Sequence, residues 1–159
     1  MKYVSYGSNM NLSQMSYRCP NTKVYGNGKI YGYKLVFNYH ADIVYTGNKK
    51  DYVPVVVWEL NDKRDLASLD IYEGYPSYYT KKDVEVVMDK TDEKFMAMVY
   101  TMIDERKGVY PPSENYFYCI AEGYIENRID CEKLYEALHD CTDIHNITRY
   151  NQYRPRKAV

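Results

Sequence analysis

The run Tyr52–Leu60, YVPVVVWEL, sets the strongest limit on what this chain can fold into. Its dense β-branched residues leave no polar face, so the segment reads as a buried central strand. Pro54 has no N–H for a ladder, but it stands near the start of the run, where a strand tolerates that loss. The remaining elements have to be arranged around this strand.

Upstream, the first five residues, with Tyr3 and Val4 among them, can form a short strand that turns through Tyr6-Gly7-Ser8-Asn9 into a helix. Asn9 or Asn11 can cap that helix, and Gln14 lies three residues after Asn11 as in a capping box. A strand turning through glycine into a helix leaves several N–H groups unpaired at the positive end of the helix dipole. Such a turn suits a carboxylate or an oxyanion, and Gly7 lets backbone approach a ligand closely. An ordinary capped turn is the competing reading. Cys19-Pro20-Asn21 breaks the helix. Lys23 to Tyr39 reads as strand interrupted at Gly26-Asn27-Gly28, and His40 to Asp51 as a polar loop in which His40 is a loop residue.

Downstream, Asn61 or Asp62 caps a short helix carrying Leu66 and Leu69 inward. Gly74 is its C′ residue and Pro76 enforces the stop. Tyr79–Met88 and Lys94–Ile103 pair as a hairpin. Ser113 caps a helix over Glu114–Asn127, and Asp130 caps a last one over Cys131–His139. Strands gather in the middle, with helices at the ends and in one crossover. The expectation is an α+β fold, a small mixed β-barrel or strongly curved sheet with flanking helices. The 159 residues suffice for one domain, 1–159, with a basic tail from about Arg149.

A net charge of −1 argues against nucleic acid as a partner, since phosphate binding needs a basic surface. No apolar run approaches the roughly 20 residues of a membrane span, so no membrane partner is expected. The start of the chain has no apolar h-region or small-residue cleavage site, so no signal peptide is expected. Four scattered cysteines read as reduced thiols of a cytoplasmic protein. The 21 tyrosines are the compositional oddity; most suit half-buried strand surfaces, and others can line a polar pocket.

Candidate chemistry narrows quickly. Phosphate-loop, dinucleotide, zincin and nucleophile-elbow motifs are all missing from the sequence, and no cofactor is expected. Cys131, His139, Cys141 and His145 lack the spacing of common zinc sites, so no metal is expected. Ser8 follows a glycine, but a triad needs a histidine brought in by the fold. Glu73 is the better candidate. A helix C-terminus disfavours an anion, and flanking Tyr72, Tyr75 and leucines withdraw water, so both effects raise its pKa toward what a general base needs. A plain surface glutamate is the alternative.

The segments YGSNM, VVVWEL, LASLDIYEGYP and PPSENY, in this order between about Tyr3 and Tyr124, resemble the γ-glutamylcyclotransferase family, its AIG2-like branch included. The resemblance implies a small barrel with flanking helices and a cofactor-independent enzyme. The implied reaction splits a γ-glutamyl amide into 5-oxoproline and an amine or amino acid. The family's substrate loop falls on Tyr3, Val4, Ser5, Tyr6, Gly7 and Ser8, with Asn9 completing the motif. Its catalytic glutamate falls on Glu73, and its substrate-contacting tyrosine on Tyr116. Met10 stands where many relatives carry leucine, a swap of similar volume.

The resemblance thus implies a small γ-glutamyl substrate, leaves the leaving group undefined and leaves a homodimer open. Rival readings are a γ-glutamylamine cyclotransferase, a biosynthetic γ-glutamyl-deprotecting enzyme, and a non-catalytic module that binds small carboxylates. A tyrosine-based RNA binder is a further one, against which the near-neutral charge speaks.

Overall fold

The computed structural model describes residues 1–147, 149 and 150, without the side chains of Ile144 and His145. The basic tail expected from about Arg149 falls, after Tyr150, outside the described residues. Seven strands are formed: β1 (Lys2–Ser5), β2 (Lys23–Tyr31), β3 (Tyr33–Asn38), β4 (His40–Tyr45), β5 (Tyr52–Glu59), β6 (Tyr79–Met88) and β7 (Lys94–Met102). The main helices are α1 (Leu12–Arg18), α2 (Lys63–Glu73), α3 (Glu114–Glu126) and α4 (Glu132–Cys141).

Five strands close a barrel in the order β1-β5-β2-β6-β7. Four neighbouring pairs are antiparallel, and a parallel pairing of Tyr3 with Met98 closes the ring. The expected small mixed barrel is therefore what the chain forms. β5 lies between β1 and β2, and Val53, Val55, Val56 and Val57 are fully buried there. Burying a valine side chain is worth about 1.5–3 kcal/mol, so this strand, covered on both faces, is a major contributor to the core.

Two expectations fail. β2 runs unbroken through Gly26-Asn27-Gly28. Gly28 is there for space, since a Cβ on it would lie 2.8 Å from the Val87 carbonyl oxygen of β6. The break comes at Gly32, whose φ of 79° reverses the chain into β3. The polar loop expected from His40 is instead β4, which pairs with β3 in a separate two-stranded sheet. Ala41 and Ile43 are buried as a strand requires, and buried Asp42 between them hides the apolar pattern.

α4, expected as the last helix, runs two residues beyond its expected end, to Cys141, starts after Cys131 and is followed by a short helix α5 (Ile144–Ile147); Asp130 Oδ1 still accepts the Glu132 N–H at 2.7 Å. Among the described residues no group of His, Cys, Asp and Glu is placed to hold a metal ion. Among the same residues no helix is long and apolar enough to cross a membrane.

Candidate active site

After β1 the chain enters a 3-10 turn, Ser8–Met10, whose first internal bond runs from the Met10 N–H to the Gly7 carbonyl at 3.0 Å. The amides of Gly7, Ser8 and Asn9 precede that bond and have no partner within the turn. α1 starts only at Leu12, where the Asn11 side chain accepts the Gln14 N–H at 3.1 Å. Asn11 is thus the cap and Asn9 is not. The donors beside Gly7 belong to the 3-10 turn rather than to the end of a helix dipole.

α3 fixes this turn from behind. Gly123 lets the helix touch it directly, since a Cβ there would sit 2.8 Å from the Asn11 nitrogen. Asn127 Nδ2 donates to the Met10 carbonyl at 2.8 Å, and Asn11 Nδ2 to that of Cys119 at 3.1 Å. In front, Gly7 is confined less tightly: its missing Cβ would lie 3.3 Å from both Ala41 Cβ and the Tyr116 hydroxyl.

The carboxylate comes from the end of α2. Gly74 adopts φ 64°, and the N–H groups of Gly74 and Tyr75 return to the carbonyls of Ile71 and Asp70, a Schellman stop. Asp70 ties this helix end to the barrel, taking the Tyr100 hydroxyl of β7 at 2.5 Å and Lys81 Nζ of β6 at 2.8 Å. Glu73 is thereby held over the N-terminal turn, and Asn9 Nδ2 donates to its Oε1 at 3.0 Å. The second hydrogen of the same amide goes to the Tyr3 hydroxyl at 2.9 Å.

Turn and helix end face each other across a cavity of about 320 Å³. Every residue expected at the site lines it: Tyr3, Val4, Ser5, Tyr6, Gly7, Ser8, Asn9, Glu73 and Tyr116. They are not equivalent. The Ser5 hydroxyl is taken up in the wall, receiving the Trp58 Nε1–H at 3.0 Å and facing the Val56 carbonyl. The Tyr6 hydroxyl donates to the Tyr100 carbonyl at 2.6 Å. The Tyr116 hydroxyl accepts the Ala41 N–H at 3.0 Å, which leaves its own hydrogen for the cavity.

Burial pushes Glu73 up to about 7, and the charge of Arg18 pulls the other way. The water is excluded by rings from distant strands rather than by the chain neighbours named in the sequence reading. Tyr72 and Tyr75 are 44% and 41% exposed, whereas Tyr3, Tyr6, Tyr79 and Tyr100 around the cavity are buried. Burial also holds those four phenols, and that of Tyr116, well above the usual tyrosine range.

Several contributors carry no local sequence signal. Tyr79 enters from β6 and donates to the Ala41 carbonyl at 2.6 Å. Arg18 at the end of α1 lies 3.4 Å over the Tyr72 ring and donates to Asn9 Oδ1. His40 lines the cavity too, but its Nδ1 meets the Tyr78 hydroxyl at 3.1 Å. Ser8 Oγ is bonded to the Tyr72 hydroxyl and Arg18 Nη1, and among the described residues no histidine pairs with it. For Asp70, the spacing of three residues from Glu73 on one helix face was the available clue.

A search of curated proteins gave no match. A solved structure described as a gamma-glutamyl cyclotransferase aligns over 99% of this chain and 89% of its own, with TM-score 0.70 and 22% identity. An uncharacterized protein from Homo sapiens aligns over 99% and 90%, with TM-score 0.69 and 22% identity. YkqA from Bacillus subtilis aligns over 98% of this chain and 56% of its own, with TM-score 0.69 and 16% identity. These three share the fold. The family model described as gamma-glutamyl cyclotransferase, AIG2-like, matches residues 3–118, and the chain belongs to that family.

Proposed function

We propose that the chain is a cofactor-independent γ-glutamyl cyclotransferase in which Glu73 moves the proton. The observation that carries this reading is a carboxyl hydrogen-bonded by the N-terminal turn inside one cavity, where burial pushes it up to about 7. A free α-ammonium has a pKa of about 8, so a group near 7 is suited to exchange its proton at neutral pH.

In the reaction, the substrate's neutral α-amine attacks its own γ-carbonyl carbon and a C–N bond forms. Glu73 takes the proton that this nitrogen sheds as it becomes an amide. The tetrahedral oxyanion then collapses, the bond to the original amide nitrogen breaks, and Glu73 returns the proton to the departing amine. The products are 5-oxoproline and an amine or amino acid, with no atom gained or lost. The amides of Gly7, Ser8 and Asn9 are suited to hold the α-carboxylate or the oxyanion, and the Tyr116 hydroxyl to orient the substrate. Folding the substrate within the cavity brings its amine to its carbonyl, an advantage of proximity.

The test is incubation with a panel of γ-glutamyl dipeptides and γ-glutamylamines, following 5-oxoproline. The reading predicts turnover of at least one member and, through the amine released, defines the leaving group. No 5-oxoproline from any member, with binding retained, overturns it in favour of a carboxylate-binding module.

A further inference from the structure

We propose that Arg18 is a positioning residue of this site: it locks the Asn9 side-chain amide in the orientation that donates to Glu73. The inference rests on the reading of Glu73 as the proton-transfer group and adds a residue that does not line the cavity.

The geometry leaves the amide no alternative. Arg18 Nη1 donates to Asn9 Oδ1 at 2.5 Å, and a guanidinium has donors only, so the oxygen of Asn9 must face it. The NH₂ group then points the other way, and its two hydrogens reach Tyr3 Oη at 2.9 Å and Glu73 Oε1 at 3.0 Å. A flipped amide sets NH₂ against the guanidinium and oxygen against the carboxylate, two repulsive contacts in place of two bonds. Arg18 is itself held in a plane, with its guanidinium carbon 3.4 Å from the Tyr72 ring centre and a second bond to Ser8 Oγ at 3.2 Å. The Tyr72 hydroxyl meets the same Ser8 oxygen at 2.9 Å. The clamp thus links the last turn of α1, the 3-10 turn and the end of α2.

Arg18 is also the charge that reaches Glu73. The phenols of other segments that feel the charge of Glu73 are Tyr3 of β1, Tyr6 just after it, Tyr79 of β6, Tyr100 of β7 and Tyr116 of α3. All five are kept as neutral phenols by burial. His40 of β4 is pushed below its usual value by burial, which favours its neutral form. Asp70, one turn back on α2, is paired with Lys81. Against the burial that raises Glu73, the positive charge of Arg18 is the opposing influence.

Two substitutions separate charge from geometry. In Arg18→Met both are lost. The Glu73 carboxyl, followed by ¹³C NMR on glutamate-labelled protein and identified by its disappearance in Glu73→Gln, titrates at higher pH than in wild type. Each whole unit of that rise lowers turnover about tenfold on the acid side of the midpoint, with recovery at higher pH. In Arg18→Lys the charge is kept, but an ammonium lacks the planar fork that spans Asn9 and Ser8. There the midpoint stays near that of wild type while kcat falls and KM is little changed.

Should Arg18→Met fail to fold, Tyr72→Leu removes the ring under the guanidinium, and the carboxyl midpoint rises in the same direction. An unmoved midpoint in the folded neutral variant overturns the proposal. A shifted midpoint in a protein that never yields 5-oxoproline leaves the clamp standing and overturns the cyclotransferase reading alone.

Discussion

Asp42 of β4 and Glu73 of α2 are both carboxyls raised by burial, yet their surroundings are opposite. Asp42 is 2% exposed and accepts the backbone N–H groups of Met102, at 3.0 Å, and of Ile43. The bond to Met102 fastens the β3–β4 sheet to the end of β7. Glu73 receives one side-chain amide and otherwise faces a cavity. A carboxylate satisfied by backbone N–H groups serves as a structural tie, whereas one desolvated and only partly bonded keeps an oxygen for a proton. Burial alone does not distinguish the two; unspent hydrogen-bonding capacity beside a cavity does.

The comparison breaks most sharply at Glu73→Gln. Turnover of any accepted γ-glutamyl substrate should fall by about 10²–10⁴-fold, the usual worth of a positioned acid–base group. The same change should stabilise the fold. A carboxyl whose folded pKa is raised binds its proton more tightly in the folded state, so its contribution is full below about 4.5 and is lost as pH rises to about 7. Glutamine does not ionise, so above that range the variant should gain up to about 3 kcal/mol over wild type in denaturant unfolding.

Asp42→Ala should act in the reverse way and more weakly. It leaves the buried Met102 N–H unpaired, a cost of about 1–3 kcal/mol in unfolding free energy. Turnover by the folded variant should stay close to wild type. A loss of kcat as large as that of Glu73→Gln would erase the distinction between tie and proton carrier.

The same pair shows what was legible in the sequence. Glu73 could be read because a local signal places it: helical spacing at Leu66 and Leu69, then Gly74 and Pro76 to stop the helix. The Asn11 cap and the buried run Tyr52–Leu60 were equally local. β4 could not be read, because Asp42 interrupts its apolar pattern and its bonding partner is sixty residues away. Gly26-Asn27-Gly28 looked like a break, since sequence does not distinguish a glycine that turns the chain from one that admits a neighbouring strand. Tyr79 and Tyr100 reach the site only through barrel closure, and the parallel pairing that closes it joins segments far apart in sequence. Asn9 stood beside Asn11 as a possible cap, because its bond to Glu73 joins residues sixty-four apart in sequence and leaves no local trace.

The most direct test of the central claim is the pH dependence of kcat/KM for 5-oxoproline formation, measured on wild type and Glu73→Gln with one accepted substrate. The account predicts a wild-type limb that rises with pH through about 7, as the carboxyl ionises and becomes a base. That limb should be absent from the residual activity of the variant. A wild-type profile flat through this range, or the same limb persisting in Glu73→Gln, would contradict the assignment of Glu73 as the group that moves the proton.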